Sequence, residues 1–209
     1  MGFEGIVWKL YDLSNWIMKM ILLNILWIVF SIIGLVIFGF FPATAAMFAV
    51  TRKWVLGETD IPVYKTFVKT YKSSFTQMNL IGGILSILGL FLYIDLRFFQ
   101  TTEYILLSFL SFFIIFAMFI YFAVVLYIFP MYVHFECKTL EYLKRSIIIV
   151  LGKPIHTIMM IVGSYLVYVV ISMIPVLVVF ISGSLLSLVL MWIAMKSFPR
   201  YEIKVGEIE

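Results

Sequence analysis

The sequence predicts an all-α protein: a polytopic transmembrane helix bundle of about five spans, with an N-terminal interfacial amphipathic helix and a cytoplasmic helical hairpin. Of its 209 residues, 64% are hydrophobic and 12% are charged, whereas a soluble domain is about half apolar and a quarter charged. The mean hydropathy is +1.14, and long uncharged runs separate a few charged clusters. A water-soluble fold could not bury so much apolar surface, so we expect a single membrane domain over residues 1–209.

The spans follow from the lengths of the uncharged runs, because about 20 helical residues cross a hydrocarbon core of about 30 Å. The run 155–195 is about twice that length, so it predicts two spans joined by a turn at Pro175. A turn at Gly183 is the alternative, and it would leave the last span short. The predicted spans are 20–41, 80–94, 104–133, 155–174 and 176–195.

The orientation follows from the distribution of Lys and Arg, which are enriched in cytoplasmic loops. Residues 43–79, the loop 134–154 and the tail 196–209 together hold twelve of the fifteen, and the remaining segments hold three. We therefore expect the C-terminus in the cytoplasm and the N-terminus outside. Charged residues interrupt the first 19 positions, so no cleavable signal peptide is expected.

Two segments outside the spans have amphipathic patterns. Residues 1–19 carry apolar side chains at helical spacing beside charged ones, which predicts a helix lying in the outer interface. Residues 43–79 predict a helical hairpin, because Gly57 is placed to stop its first helix and Pro62 to start its second. Its second helix has an aromatic stripe and a lysine stripe, a pattern typical of a helix resting on the anionic inner leaflet.

That hairpin supplies the candidate residues for contact with lipid or with a partner protein. They are Arg52, Lys53, Glu58, Asp60, Tyr64, Lys65, Lys69, Tyr71, Lys72 and Phe75. Within the spans, Asn24 is the candidate polar residue, accompanied by scattered serines. An interhelical hydrogen bond is a commoner use of such an Asn than the binding of a solute.

The sequence contains no phosphate-binding glycine loop, zinc-protease motif or paired cysteine ligands. The nearest approach to a metal site is His134, Cys137 and Glu141, which would share a helix face, but polar residues facing lipid headgroups are the simpler interpretation. We therefore expect neither an enzyme nor a bound cofactor or metal, and no nucleic-acid partner.

The region around the end of the first span resembles a known family. The matching residues are Asn24-x-x-Trp27, Pro42-Ala43-Thr44-Ala45-Ala46, Arg52-Lys53, Gly57-Glu58, Asp60-Ile61-Pro62, Phe67, Tyr71-Lys72 and Phe75. This pattern resembles the YesL-type family of bacterial integral membrane proteins of unknown function, although Phe41 stands where the family often has glycine. Family members are often found among sugar-uptake genes, so the resemblance implies a multi-pass protein of the bacterial cell membrane with an accessory role in carbohydrate transport.

Three functions remain open at this point. The first is a non-enzymatic partner of an ATP-driven (ABC-type) sugar importer that uses the hairpin as its contact surface, and simple adhesion of the hairpin to anionic lipid is its plain alternative. The second is a small transporter or channel, forming a homo-oligomer, with a solute path lined by Asn24 and serines. A membrane enzyme is the least favoured, because only His134, Cys137 and Glu141 offer acid-base or metal-binding groups.

Overall fold

The computed structural model describes residues 3–100 and 105–198, with side chains from 8–100 and 109–198. These residues form helices joined by short turns and contain no strand. The helices are α1 Phe3–Ile33, α2 Ile37–Val55, α3 Val63–Gln100, α4 Ile105–His134, α5 Thr139–Gly152, α6 Pro154–Met173, α7 Val176–Phe180 and α8 Ser182–Ser197. Four of the described helices, namely α1, α3, α4 and α6, are long and apolar enough to cross a membrane, and α8 is a shorter apolar helix. The all-helical membrane fold is thus confirmed.

The first two helices differ from the boundaries predicted by sequence. The expected interfacial helix 1–19 is continuous with the first apolar run in α1, and the expected span 20–41 is interrupted after Ile33. The chain reverses there, and α2 packs antiparallel against α1. Gly34 and Gly39 make this reversal possible, because a Cβ added to Gly34 would lie only 2.3 Å from the Gly39 Cα. The turn is entirely apolar, so hydropathy gave no sign of it.

The predicted hairpin 43–79 also differs in extent. Its turn is where the sequence placed it, because α2 ends at Val55 and Gly57 adopts a left-handed conformation with φ of 96°. Glycine adopts this conformation without the clash that a Cβ would cause. However, α2 begins at Ile37 rather than at residue 43, and the second helix of the hairpin continues into the predicted span 80–94 as α3.

The C-terminal half follows the prediction more closely. Helix α4 matches the expected span 104–133 within a residue in its described part, and α6 matches 155–174. The predicted loop 134–154 contains α5. The preferred break is present, because α6 ends just before Pro175. A second interruption, at Ile181, separates α7 from α8; it lies two residues before the alternative turn at Gly183, which is itself within α8. The last long helix is therefore shorter than the expected span 176–195.

The core consists of two groups of buried side chains that meet on α2. One joins α2, α3, α4 and α8 around the fully buried Tyr127 and Met78. The other joins α1, α2 and the first half of α3 around Leu23 and Phe67. Helix α2 therefore lies at the centre of the described fold, with Ala43, Ala45 and Ala46 fully buried. Small side chains let neighbouring helices approach closely, as is typical of membrane helix packing.

Candidate functional site

The first half of α3 presents three lysines to the surroundings. Lys65, Lys69 and Lys72 are all exposed and recur at spacings of four and three residues, which place them on one side of the helix. We call these three residues the basic stripe. The opposite side of the same helix is fixed in the core by Phe67, which is fully buried. The basic stripe is therefore held on a rigid support rather than on a loose loop.

The aromatic stripe predicted beside it is not a continuous surface. Tyr71 is buried, its ring lies 5.0 Å from that of Phe30, and its hydroxyl donates a hydrogen bond of 3.2 Å to the Phe30 carbonyl. Tyr64 remains exposed, and Phe75 is at the border of exposure. The aromatic spacing predicted for contact with lipid thus belongs mainly to the contact between α3 and α1, and Tyr71 is not available to a partner.

The two basic residues at the end of α2 have partners within the chain. Arg52 is half-buried, and its Nε donates a hydrogen bond of 3.3 Å to Nδ1 of His134 on α4. Burial lowers the pKa of the Arg52 guanidinium from its usual value. Lys53 lies 3.5 Å from the Glu58 carboxylate. These residues connect α2 to α4 and to the following turn, so they are structural contacts in addition to candidate surface groups.

Asp60 links the α2–α3 turn to the N-terminal helix. Its carboxylate lies 3.1 Å from Nζ of Lys19, and the same ammonium group donates a hydrogen bond of 2.9 Å to the Thr59 carbonyl. One turn earlier in α1, Trp16 packs edge-on against Trp54, with 5.3 Å between the ring centroids. The sequence did not suggest Lys19 as a site residue, because nothing in its local spacing indicates a contact 41 residues away.

Asn24 connects three helices inside the apolar body. Its side chain is fully buried, and its Nδ2 donates a hydrogen bond of 2.6 Å to the Val179 carbonyl on α7. Its Oδ1 accepts hydrogen bonds from the backbone N–H groups of Gly183 at 2.8 Å and of Ser184 at 3.2 Å. Because the first N–H groups of a helix have no partner within it, Asn24 acts as a cap for α8 supplied by α1.

The described part of the chain contains no cluster of three His, Cys, Asp or Glu side chains able to hold a metal ion. Of the three residues singled out from the sequence, His134 accepts the Arg52 hydrogen bond at Nδ1, and its ring stacks on Phe198 with the centroids 4.9 Å apart. Cys137 lies in the linker between α4 and α5, and Glu141 lies in the first turn of α5. The structure gives His134 a packing role.

A cavity of about 650 Å³ lies among α1, α2, α4, α6, α7 and α8. Its walls are largely apolar and carry no charged side chain, and the indole of Trp27 donates a hydrogen bond of 3.0 Å to Thr44 at its edge. Gly183, whose N–H is capped by Asn24, also borders it. The hydroxyl-bearing serines that line it are Ser164, Ser172, Ser182 and Ser187. Each donates to a backbone carbonyl of a neighbouring turn, so lone pairs rather than free donors face the space.

The amino-acid sequence is similar to those of several uncharacterised proteins. A family model described as a protein of unknown function, DUF624, matches residues 20–96. YteU of Bacillus subtilis (strain 168) is 35% identical over 207 residues, which cover 99% of this chain and 93% of the relative. YesL of the same organism is 40% identical over 186 residues, covering 88% and 87%. YesV is 34% identical over 197 residues, covering 92% and 93%. No solved structure matches.

Proposed function

Since the chain belongs to the DUF624 family, whose function is unknown, we propose that it is a non-enzymatic membrane component that assists carbohydrate uptake through contact between its basic stripe and a partner. The link to carbohydrate comes from the resemblance to YesL-type proteins, and the partner it suggests is an ATP-driven sugar importer. The observation that carries the proposal is the exposure of Lys65, Lys69 and Lys72 on a helix whose other side is buried.

The basic stripe suits a contact with an acidic surface. Three cationic groups along about 10 Å of helix create a local positive field, which attracts acidic protein surfaces and anionic lipid alike. By the enrichment of Lys and Arg in cytoplasmic loops, we place this side of the protein, together with the C-terminus, on the cytoplasmic side of the cell membrane. An ATP-driven importer presents its ATPase subunits on that side, which is why a cytoplasmic stripe suits the proposed partner.

The test replaces the basic stripe without changing the fold. The variant Lys65→Gln, Lys69→Gln, Lys72→Gln removes three charges from exposed positions, and Lys138→Gln, Lys144→Gln, Lys153→Gln is a matched control that removes three from α5 and its ends. Both are expressed in cells growing on different sugars, and partners are captured from membranes and identified by mass spectrometry. Each cationic group near an anionic surface contributes about 1 kcal/mol, so loss of the stripe is expected to weaken the contact by roughly 10²-fold.

The expected result is an importer component that is captured by the parent and by the control but lost from the stripe variant. The difference between the parent and the stripe variant should shrink at higher salt, because salt screens the charges of the lysines. Binding of purified protein to vesicles with and without anionic lipid distinguishes contact with a partner protein from simple adhesion to anionic lipid. If the stripe variant keeps every captured protein and loses only its preference for anionic vesicles, the stripe is a lipid contact and the proposal is wrong.

The cavity favours a second candidate, a small oligomeric transporter or channel for an uncharged solute. Pockets of 300–1,000 Å³ are typical of small-molecule sites, and this one lies next to the buried Asn24 cap. In proteoliposomes loaded with a sugar, Ser164→Leu would narrow the cavity and reduce flux, whereas Ser86→Leu on the exposed side of α3 would leave flux unchanged. Equal flux with and without the protein would rule this candidate out.

A further inference from the structure

We propose that the helical hairpin formed by α1 and α2 is a re-entrant wedge: it enters the hydrocarbon from the side of the basic stripe and returns to that same side without crossing the membrane. The N-terminal end of α1 would then share a side with the basic loops. The partner of this apolar surface is the acyl-chain region of the leaflet next to the basic stripe.

Two contacts hold α1 and the end of α2 together at the open end of the α1–α2 hairpin. Lys19 near the start of the apolar part of α1 is paired with Asp60 beyond the end of α2, and the Asp60 side chain is 95% exposed. Trp16 packs on Trp54 beside this ion pair. A carboxylate so open to its surroundings requires water or lipid headgroups. Both ends of the hairpin therefore lie at the same interface.

Although α1 as a whole is long enough to cross a membrane, the part of the α1–α2 hairpin beyond the Lys19–Asp60 pair is too short to reach the other interface. Between Lys19 and the turn, the uncharged part of α1 covers 20–33, which is about 21 Å at 1.5 Å per residue. The uncharged part of α2 covers 37–51, or about 22 Å. Both fall short of the hydrocarbon thickness of about 30 Å, and any tilt reduces the depth further.

The tip of the hairpin has the composition of a segment that stays in hydrocarbon. A turn that emerged into water would be expected to carry polar residues, but this one is apolar and highly exposed to whatever surrounds the protein. The exposed tip residues are Ile32, Ile33, Leu35, Val36, Ile37 and Phe38, with exposed fractions between 56% and 78%. Apolar surface of this extent is stable only against acyl chains or another apolar body.

The backbone of the turn at the tip is suited to hydrocarbon, because its N–H groups have partners within the turn. In hydrocarbon, an unpaired backbone N–H costs several kcal/mol, so re-entrant segments must satisfy these groups internally. The N–H groups of four successive residues from Gly34 to Ile37 all donate to carbonyls of 30–35, over distances of 2.7 to 3.1 Å. To make these bonds, Leu35 and Val36 adopt positive φ values of 60° and 63°, which are unfavourable for residues with a Cβ.

A contact with α3 places the tip of the wedge close to the basic stripe. The Tyr71 hydroxyl contacts the Phe30 carbonyl, one turn before the tip, and the next residue of α3 is the exposed Lys72. The ammonium group of Lys72 has to reach headgroups or water, which a lysine side chain can do over only a few ångströms. The tip is therefore inserted at a slant into one leaflet rather than driven through the bilayer.

The asymmetry of Lys and Arg between the two sides becomes stronger under this arrangement. With 20–41 as a crossing, the basic side held twelve of the fifteen Lys and Arg residues. With a wedge, Lys9 and Lys19 join that side, and Arg97 is the one residue of these types in the sequence assigned to the other. The crossings are then α3, α4, α6 and the α7–α8 pair, an even number that puts both ends of the chain in the cytoplasm. The wedge thus places the N-terminus in the cytoplasm, whereas a crossing at 20–41, as expected from sequence, would place it outside.

The test is side-specific cysteine labelling in a Cys137→Ser background. Single variants Asp12→Cys, Val36→Cys, Lys69→Cys and Gln100→Cys are treated with a membrane-impermeant maleimide in right-side-out and inside-out vesicles. Lys69→Cys and Gln100→Cys mark the two sides. We expect Asp12→Cys to react only from the side of Lys69→Cys, and Val36→Cys to react from neither side until detergent is added. The relaxation of a nitroxide spin label attached to Val36→Cys should be enhanced by dissolved oxygen rather than by a water-soluble nickel complex.

Two results would overturn the wedge. Reaction of Asp12→Cys from the side of Gln100→Cys, or from neither side, would show that α1 does not begin at the basic side. Reaction of Val36→Cys in intact vesicles would show that the tip emerges into water, and the side from which it reacts would distinguish a full crossing from a hairpin lying on the surface.

Discussion

The cap that Asn24 provides for α8 should be a major contributor to the stability of the fold. The variant Asn24→Leu keeps a similar volume but removes all three hydrogen bonds, to the Val179 carbonyl and from the Gly183 and Ser184 N–H groups. Hydrogen bonds between membrane helices contribute about 0.6 kcal/mol on average and up to about 1.7 kcal/mol. Three such bonds therefore correspond to a loss of about 2 to 5 kcal/mol. The upper part of that range is favoured because the N–H groups at the start of α8 have no alternative partner within the helix.

The assay is thermal unfolding of purified protein in detergent, followed by tryptophan fluorescence and by loss of the monodisperse peak in size-exclusion chromatography. For a chain of this length, 1 kcal/mol shifts Tm by about 2–4 °C, so a loss of about 2 to 5 kcal/mol predicts a decrease of about 4–20 °C. Ser172→Ala is the matched control, because this exposed serine bonds only to the Val169 carbonyl of its own helix. Its Tm should change by less than about 2 °C, since surface substitutions usually change stability by less than about 0.5 kcal/mol.

Asn24→Asp separates the hydrogen bonds from the shape of the side chain. A protonated carboxylic acid at this position can still donate to the Val179 carbonyl, whereas the ionised form would oppose it. The carboxylate oxygens of either form can accept hydrogen bonds from the Gly183 and Ser184 N–H groups. The Tm of Asn24→Asp should therefore lie between those of the parent and Asn24→Leu. An Asn24→Leu variant as stable as the parent, at any pH, would refute a capping role.

Two further predictions concern the backbone. Val36→Gly should raise the stability of the protein by about 1 kcal/mol, because the positive φ of 63° strains a β-branched residue but not glycine; an unchanged or lower Tm would contradict this. Gly82→Ala should destabilise the fold by about 1–3 kcal/mol, because its new methyl group would lie 2.3 Å from the Phe41 ring. Gly83→Ala meets nothing within 4 Å and serves as the control, with a gain of up to about 1 kcal/mol in helix propensity. Equal Tm values for the two alanine variants would show that α2 and α3 do not pack this closely.

Membrane insertion, helical class and most helix positions were determined by the sequence alone. Hydropathy over a window of about 20 residues identifies apolar helices because a helix satisfies its own backbone hydrogen bonds without tertiary help. The span over 104–133 and the turn at Gly57 were therefore predictable from local patterns, and both agree with the described residues. Exposure of the basic stripe was also predictable, because lysines spaced by three and four residues share one side of a helix.

The tertiary structure decided which apolar runs are interrupted and which polar groups meet. The reversal at Gly34 lies in an unbroken apolar sequence, and only the close contact with Gly39 and the packing of α2 on α1 determine it. The aromatic spacing on α3 is compatible with lipid contact or with packing in a core. Tyr71 is in the core because its ring packs against Phe30 of α1. Asn24 finds its partners on helices more than 150 residues away in sequence. Local periodicity records which side of a helix is apolar, but it does not record what that side packs against, because contacts distant in sequence depend on how all the helices assemble.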